Sequence, residues 1–365
     1  MRICVVGGIF NPIHAGSQRY TPETILVEGL RTRGVSVEAV SHLAFRPSDS
    51  YDLVHVHHVG RAAHLLACTP TNSAFVFTGH DGQMLCGYDR NPLRKAAFSR
   101  IVRRCDAAIA LSETEARYLK SLGQTWIDIV PNGIPDPWGT STHAPSEGNR
   151  SGLLYVGQLI PLKGVATLIR SLALTKRAIR LQLVYHVAKD EPKLRALCRE
   201  LRISDRVDFL GPRRPDQVAA LMASAEALVL PSFAESLPSV VTEALLSGTP
   251  VIASAVGGIP EQVGRHGRVL PAGCAEDFAA AIDALGFAPA SLADRSAMRA
   301  HAAGAYSVAA MIEGHVRVYS EILQRRPSSS RGHSLLDPAF RFAVACYWRT
   351  NPTVRLPRGT NDGAR

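Results

Sequence analysis

No apolar stretch in this 365-residue chain reaches the roughly 20 residues that a membrane-spanning helix needs. No basic segment with a cleavable apolar stretch precedes the first strand-like run. MRICVVGGIF enters that run directly, so no secretory leader is expected. Cysteine is sparse. The seven thiols (Cys4, Cys68, Cys86, Cys105, Cys198, Cys274 and Cys346) are odd in number and form no C-x-x-C pair. That argues against a disulfide framework or a cysteine-held zinc, and for reduced thiols in a cytoplasmic protein. There is no block of five or more like charges, and no zinc-finger, helix-turn-helix or aromatic-plus-basic signature. Nucleic acid is therefore not an expected partner.

What is present is an ordinary globular balance. Apolar residues make up 46% and charged residues 20%, which excludes wholesale disorder. At roughly 100–200 residues per domain, two domains are expected. The net charge of +10 comes largely from scattered arginines, among them Arg31, Arg33, Arg103, Arg104, Arg213, Arg214, Arg325 and Arg326, and reads first as a solvated surface.

Short apolar runs at 3–6, 53–56, 74–78, 107–111 and 126–130 alternate with helix-like stretches such as 21–33 and 113–122. A second series has runs at 153–156, 181–185, 207–210, 227–230 and 250–253, with helix-like stretches at 165–175 and 240–247. Continuous apolar strands separated by helices predict α/β parallel sheets covered on both faces. Two such series predict two Rossmann-like domains, at 1–135 and 151–310. The segment between them, DPWGTSTHAPSEGNR at 136–150, is rich in Pro, Gly, Ser and Thr and reads as a linker. Beyond Gln324 the composition is linker-like again, and 335–348 is apolar and aromatic. The 327–365 tail is expected to be partly disordered or docked.

The most informative stretch is PSFAESLPSVVTEALLSGTPVIASAVGGIP, residues 231–260, which follows a buried strand. Glu235 falls in the loop and Glu243 eight residues on, within an apolar helix. Ligands of open parallel sheets bind at the strands' carboxyl edge, and helix N-termini favour anions. A diphosphate would sit at this helix start, with a deeper carboxylate accepting from hydroxyls. Taken singly, Glu235 reads as a helix-capping acid and Glu243 as a surface acid.

Taken together, the segment resembles the donor-binding motif of glycosyltransferase family 4, the group 1 glycosyl transferases. PSFAES, EALLSGTPVIAS and GGIPEQV match that family's pattern with both glutamates in register. The resemblance implies that Glu235 contacts the donor sugar and Glu243 the ribose. Backbone N–H groups of Ser236, Leu237, Pro238, Ser239 and Val240 would hold the diphosphate, except that Pro238 has none to offer. LLYVGQLIPLKGVATLI at 153–169 resembles the family's G-R-L-x-x-x-K-G turn. Lys163 takes the lysine's role on the diphosphate. Gln158 stands where the family has arginine; a neutral amide hydrogen-bonds phosphate but does not cancel its charge. Arg213 and Arg214 are candidate substitutes.

In the first half, VVGGIFNPIHAGSQRY resembles the family's glycine loops, with Gly8 and Gly16 allowing close approach to the donor. FVFTGHDG resembles the strand ending in T-x-H-G, which makes His80 the residue near donor sugar and acceptor; a structural histidine at a strand end is the equal alternative. CDAAIALSETEARYLKSLG with IVPNGI also fits, and a helix at 306–323 would lie near a C-terminal crossover at 311–326. A competing resemblance, to the nucleotidylyltransferase opening G-G-x-F-D-P-x-H-x-G-H with a later S-x-T-x-x-R, is set aside. Ser17 replaces its second histidine, Asn11 its aspartate, and the second half of the chain would be unexplained.

The resemblance implies a GT-B fold, with two Rossmann-like domains facing an interdomain cleft. It also implies a retaining glycosyltransferase of the hexosyltransferase kind. The donor would be a nucleotide-diphosphate-sugar and the acceptor an unnamed hydroxyl of a glycan, glycolipid or small molecule. The chain has no D-x-D, so metal-independent catalysis with no cofactor is expected. Two alternatives stay open: a nucleotide-sugar epimerase on the same fold, and a binding-only relative, motivated by Gln158 and Pro238. Basic charge and the apolar tail leave open peripheral contact with an anionic membrane surface on the cytoplasmic side.

Overall fold

The computed structural model describes residues 1–11, 21–69, 71–80, 92–137, 150–286 and 290–325. Gly16, most of the 136–150 linker and the 327–365 tail lie outside the described residues.

The first half alternates β1 (Arg2–Val6), α1 (Pro22–Thr32), β2 (Ser36–Val40), β3 (Leu53–His57), α2 (Arg61–Cys68), β4 (Ala74–Thr78), α3 (Pro92–Arg104), β5 (Ala107–Ala110), α4 (Glu113–Ser121) and β6 (Ile127–Ile129). The second opens with β7 (Leu153–Val156), α5 (Val165–Leu174), β8 (Leu181–Val184), α6 (Glu191–Glu200), β9 (Val207–Gly211) and α7 (Pro215–Ser224). It continues with β10 (Ala227–Leu230), α8 (Ser239–Leu246), β11 (Val251–Ser254), α9 (Ile259–Val263), β12 (Gly267–Leu270), α10 (Ala275–Leu285) and α11 (Leu292–Ala305). Last comes α12 (Val308–Arg325).

Each half holds a six-stranded sheet, in order β2-β1-β3-β4-β5-β6 and β12-β11-β10-β7-β8-β9, and every pairing is parallel. Every residue of β3, β4, β5, β10 and β11 is buried, as strands covered by helices on both faces require. The sequence did not announce β2 and β12. Both are edge strands that carry polar residues (SVEAV and GRVL), so neither shows a continuous apolar run.

Strand order reverses between β1 and β3 in the first sheet and between β7 and β10 in the second. Such switch points open a crevice at the carboxyl edge, where ligands of doubly wound sheets bind. The amphipathic α12 returns to the first half. Its buried Met311, Ile312, Val318, Tyr319 and Ile322 join one core with Ile3, Val5, Leu26 and Leu30.

The carboxyl edges of the two sheets are joined directly. Glu261 of α9 caps α4: its Oε2 accepts from the Glu113 N–H (2.7 Å), and its Oε1 from the N–H and the hydroxyl of Thr114 (3.1 Å each). A carboxylate at a helix N-terminus satisfies free donors and opposes the dipole. Beneath it, Leu111, Leu237 and Tyr306 form a small buried cluster from three separate segments.

Candidate functional site

In the second half, the switch point between β7 and β10 holds a cleft of about 460 Å³, within the usual size for a small-molecule site. Its walls include Gln158, Lys163, Arg213, Glu235, Ser239 and Glu243. A second cavity, of about 520 Å³, opens at the amino edge of the first sheet among Arg103, Arg104, Trp126 and Arg325. The site is assigned to the first cleft because the chemistry-bearing residues converge there.

Lys163 follows β7 in the turn before α5, and Glu235 follows β10. Lys163 Nζ donates to Glu235 Oε1 at 2.7 Å, and Ser232 Oγ donates to the same oxygen at 2.7 Å. Among the described residues Oε2 has no partner, which leaves it able to accept from a ligand hydroxyl. Glu235 is thus not a helix cap. The cap position of α8 is Pro238, which makes no side-chain hydrogen bond.

Two glycines permit this geometry. Gly164 (φ 65°) and Gly257 (φ 57°) are in the left-handed region, and a Cβ at either would collide with the backbone of the donor loop, at the carbonyls of Pro231 and Glu235 respectively. Only glycine meets both demands at once. The turn after β7 is fixed by the Tyr155 hydroxyl, which donates to the Gln158 carbonyl at 2.8 Å.

Ser239 begins α8, so the free N–H groups of this eight-residue helix open on the cleft. Glu243 lines the cleft one turn deeper, and burial raises its carboxyl above the usual carboxylate range. It is not the exposed acid of an ordinary amphipathic helix. Leu237 is buried in the three-segment cluster, so only its backbone is available to a ligand. Arg213 reaches the cleft wall, whereas Arg214 pairs with Asp216 on the surface (2.8 Å).

The switch point of the first half carries imidazoles in place of charge pairs. His57 ends β3 and His80 follows β4 two residues after Thr78. Their Nδ1 and Nε2 atoms lie 2.7 Å apart. His55, on the same face of β3 as His57, meets the Tyr319 hydroxyl (2.6 Å) and the Thr78 hydroxyl (2.8 Å). His58 Nε2 meets Glu23 Oε1 of α1 at 2.8 Å. His58 (φ 65°) and His80 (φ 53°) both hold the left-handed backbone that side chains rarely adopt, a strain that collects at functional sites.

Burial pushes the His55 and His57 imidazoles well below their ordinary range, and neighbouring imidazoles push the same way. Burial pulls His80 down to about 3, against the attraction of Glu23. Burial alone would raise Glu23, but the His58 hydrogen bond and the surrounding rings outweigh it and hold the carboxyl far below the usual range. Glu23, His57 and His80 each bring one potential ligand atom within 4.8 Å of the others, the one such set among the described residues. In the structure, His57 and His80 bond each other, and Glu23 bonds His58. Gly8 sits in the short turn after β1, with open space around its Cα.

Of the residues named from the sequence, the structure brings Lys163, Glu235, Ser239, Glu243 and Gln158 around one cleft, and puts His80 and Gly8 at the other switch point. The sequence reading missed Ser232, Glu23, His57 and His58. His57 had a signal: VHVHHV places the rings of His55 and His57 inside a strand that is otherwise wholly apolar, and a buried polar side chain needs a reason. The S-x-x-E of SETEAR, weighed against a nucleotidylyltransferase motif, is a helix start. Ser112 caps α4 by accepting from the Glu115 N–H (3.2 Å), and the buried Glu115 accepts from the Leu111 N–H (2.9 Å).

A family model described as glycosyl transferases group 1 matches residues 150–286, and one described as glycosyltransferase family 4 matches residues 28–136. The D-inositol 3-phosphate glycosyltransferase of Mycolicibacterium smegmatis is 30% identical over 304 residues, covering 76% of this chain and 70% of that protein. Among solved structures, the sucrose-phosphate synthase from Thermosynechococcus elongatus superposes with a TM-score of 0.73 at 20% identity, over 89% of this chain and 100% of that one. Anabaena Alr3699/HepE, solved in complex with UDP and glucose, superposes with a TM-score of 0.69 at 20% identity, over 88% and 100%.

Proposed function

The chain belongs to glycosyltransferase family 4, and from that membership we propose that it is a retaining enzyme that moves a sugar from a nucleotide-diphosphate-sugar to a hydroxyl acceptor. Its fold is GT-B and it is a hexosyltransferase-type enzyme. Donor chemistry rests with the second domain, taken as 151–310, and acceptor chemistry with the first, taken as 1–135. The observation that carries this reading is the Lys163–Glu235–Ser232 constellation, drawn together from two strand ends inside a cleft that Glu243 also lines.

The donor's diphosphate meets Lys163 and the N–H groups at the start of α8, while Glu243 accepts from the ribose. Glu235 Oε2 accepts from a sugar hydroxyl, and His80 meets the sugar from the opposite domain. As the anomeric carbon–oxygen bond breaks, charge collects on the leaving phosphate oxygen. Preorganised positive groups at that point lower the barrier. The acceptor oxygen attacks from the face the phosphate leaves, and its proton passes to the departing phosphate oxygen. The new glycosidic bond keeps the anomeric configuration, with no enzyme nucleophile. Lys163, the helix start and Arg213 neutralise the leaving group without a metal ion, and Arg213 offsets the charge missing at Gln158. The named activity of the mycobacterial relative makes D-inositol 3-phosphate the first acceptor to test, and the basic surface suits a phosphorylated acceptor.

The test is turnover of UDP-, GDP-, ADP- and TDP-sugars with chelator present. Slow release of one nucleotide is expected, accelerated by the right acceptor, with the product's anomeric configuration read by NMR. Conversion of the sugar without nucleotide release would overturn transfer in favour of epimerisation. Loss of activity with chelator, restored by a divalent cation, would overturn metal independence.

A further inference from the structure

We infer that His57 fixes His80 as a neutral imidazole with its proton on Nδ1, so that His80 offers the donor sugar an N–H and offers the acceptor hydroxyl no base. The inference deepens the proposed reaction and rests on that reading for the role of His80; the tautomer itself does not.

The His57 and His80 rings are inclined by only 19°, with centroids 4.9 Å apart and nitrogens 2.7 Å apart. Nearly parallel planes with so short a nitrogen contact meet edge to edge, as a hydrogen bond requires. One nitrogen carries a proton and the other is bare.

The far nitrogen of His57 decides which. His57 Nε2 is buried and has no hydrogen-bond partner. An orphaned buried N–H is rarer than an under-used acceptor. The proton of His57 therefore sits on Nδ1, in the bond to His80.

Two neighbouring rings follow the same rule where there is no choice. His315 Nδ1 lies 2.7 Å from the Met311 carbonyl, and His42 Nε2 lies 2.9 Å from the His57 carbonyl. A carbonyl only accepts, so each of these nitrogens carries the proton. In both rings the remaining nitrogen is bare, buried and unpartnered.

It follows that His80 Nε2 accepts, and that the single proton of the neutral His80 ring is on Nδ1. Glu23 is engaged by His58 at 2.8 Å, which leaves the His57–His80 bond as a separate unit. The left-handed backbone at His80 and the bond to His57 hold the ring from two sides. His80 is half-buried, and its Nδ1 has no partner among the described residues, which leaves that nitrogen for a ligand oxygen. With Nε2 occupied and Nδ1 protonated, the ring has no free lone pair for the acceptor's proton. That proton goes to the leaving phosphate. His57 is thus a positioning residue, acting through His80.

The experiment is long-range proton–nitrogen NMR on the nitrogen-15-labelled full chain at neutral pH, with His80 assigned by comparison with His80→Ala. A protonated Nδ1 and bare Nε2 are expected; a protonated Nε2 overturns the inference. Because the spectrum needs no substrate, it stands apart from the transferase reading, which fails separately if no donor is turned over. Kinetics give the second readout. His57→Asn keeps an N–H donor near the Nδ1 position and should stay within about threefold of wild-type kcat, while His57→Ala should lose about tenfold or more with little change in donor KM. His57→Asp, an acceptor only, should turn the His80 signal to the Nε2-protonated form. An alanine variant equal to wild type, or folded asparagine and alanine variants equally impaired, would overturn the positioning role.

Discussion

The two switch points solve opposite problems. In the second half, Lys163, Glu235 and Glu243 line a cleft that, in the proposed reaction, takes up charge. In the first, His55, His57 and His80 lie against one another, and burial keeps them uncharged. A transferase of this kind needs both: fixed cations where the leaving group gains charge, and a neutral, hydrogen-bonding wall where the sugar must not meet a competing base. The difference shows why one crevice was read more fully from short motifs than the other, where only Gly8 and His80 were named. Charge neutralisation uses residue types that stand out in a sequence. A neutral polar wall uses histidines whose role depends on what is packed behind them.

Acid is the strongest way to separate the two halves. Burial lowers His42, His64 and His315 to about 4, and all three belong to the first half or to α12 packed on it. Such a ring ionises near 6.5 when unfolded, so between about pH 6.5 and 4 only the unfolded chain takes up the proton, and stability falls as pH falls. Each ring costs about 2 kcal/mol between pH 7 and pH 5. Glu243 has the opposite sign: its folded-state pKa is raised, so acidification through that value relieves the second half. Hydrogen exchange at pH 7 and pH 5 should show protection falling faster in β3 and β4 than in β10 and β11. Equal losses would break the comparison.

Next in size is the charge itself. Lys163→Ala should lower kcat by about 10²–10³-fold, the usual loss when a preorganised group at a developing charge is removed. Arg213→Ala should cost about tenfold, because its guanidinium is also spent on the Leu210 and Pro212 carbonyls. Donor turnover with a thermal melt on each variant checks both. Equal losses would mean that lysine and arginine share the leaving group's charge, against the larger role given to Lys163.

How much of this the sequence displayed follows the same division. Buried strands of both sheets, the crossover helix, Lys163, Glu235 and Glu243 were all legible, because apolar runs and a thirty-residue motif survive without knowledge of neighbours. The edge strands β2 and β12 were not, since a strand covered on one side needs no apolar run. The interdomain cap by Glu261 was not legible either. Its partners at Glu113 and Thr114 are 148 and 147 residues away, and only the fold brings them to the same edge.

Smaller effects sharpen the backbone argument. Gly257→Ala should destabilise by about 1–3 kcal/mol in urea titration and also impair donor binding, because its Cβ meets the Glu235 carbonyl. Gly34→Ala is the control. It is also left-handed (φ 74°) but has open space, so it should cost about 1 kcal/mol and leave donor binding unchanged. Smallest of all, Gln158→Arg should raise kcat by less than about tenfold, since in the proposed reaction Lys163 and Arg213 already meet the diphosphate.

The central claim is that Lys163 and Glu235 form a working donor site. The most direct measurement follows nucleotide release from each nucleotide-sugar in the presence of chelator, for wild type and Lys163→Ala side by side. The account predicts that one donor is hydrolysed slowly by the wild-type enzyme and that the variant, equally folded, is slower by about 10²-fold or more. Wild type and variant releasing nucleotide at the same rate, or neither binding any donor, would contradict it.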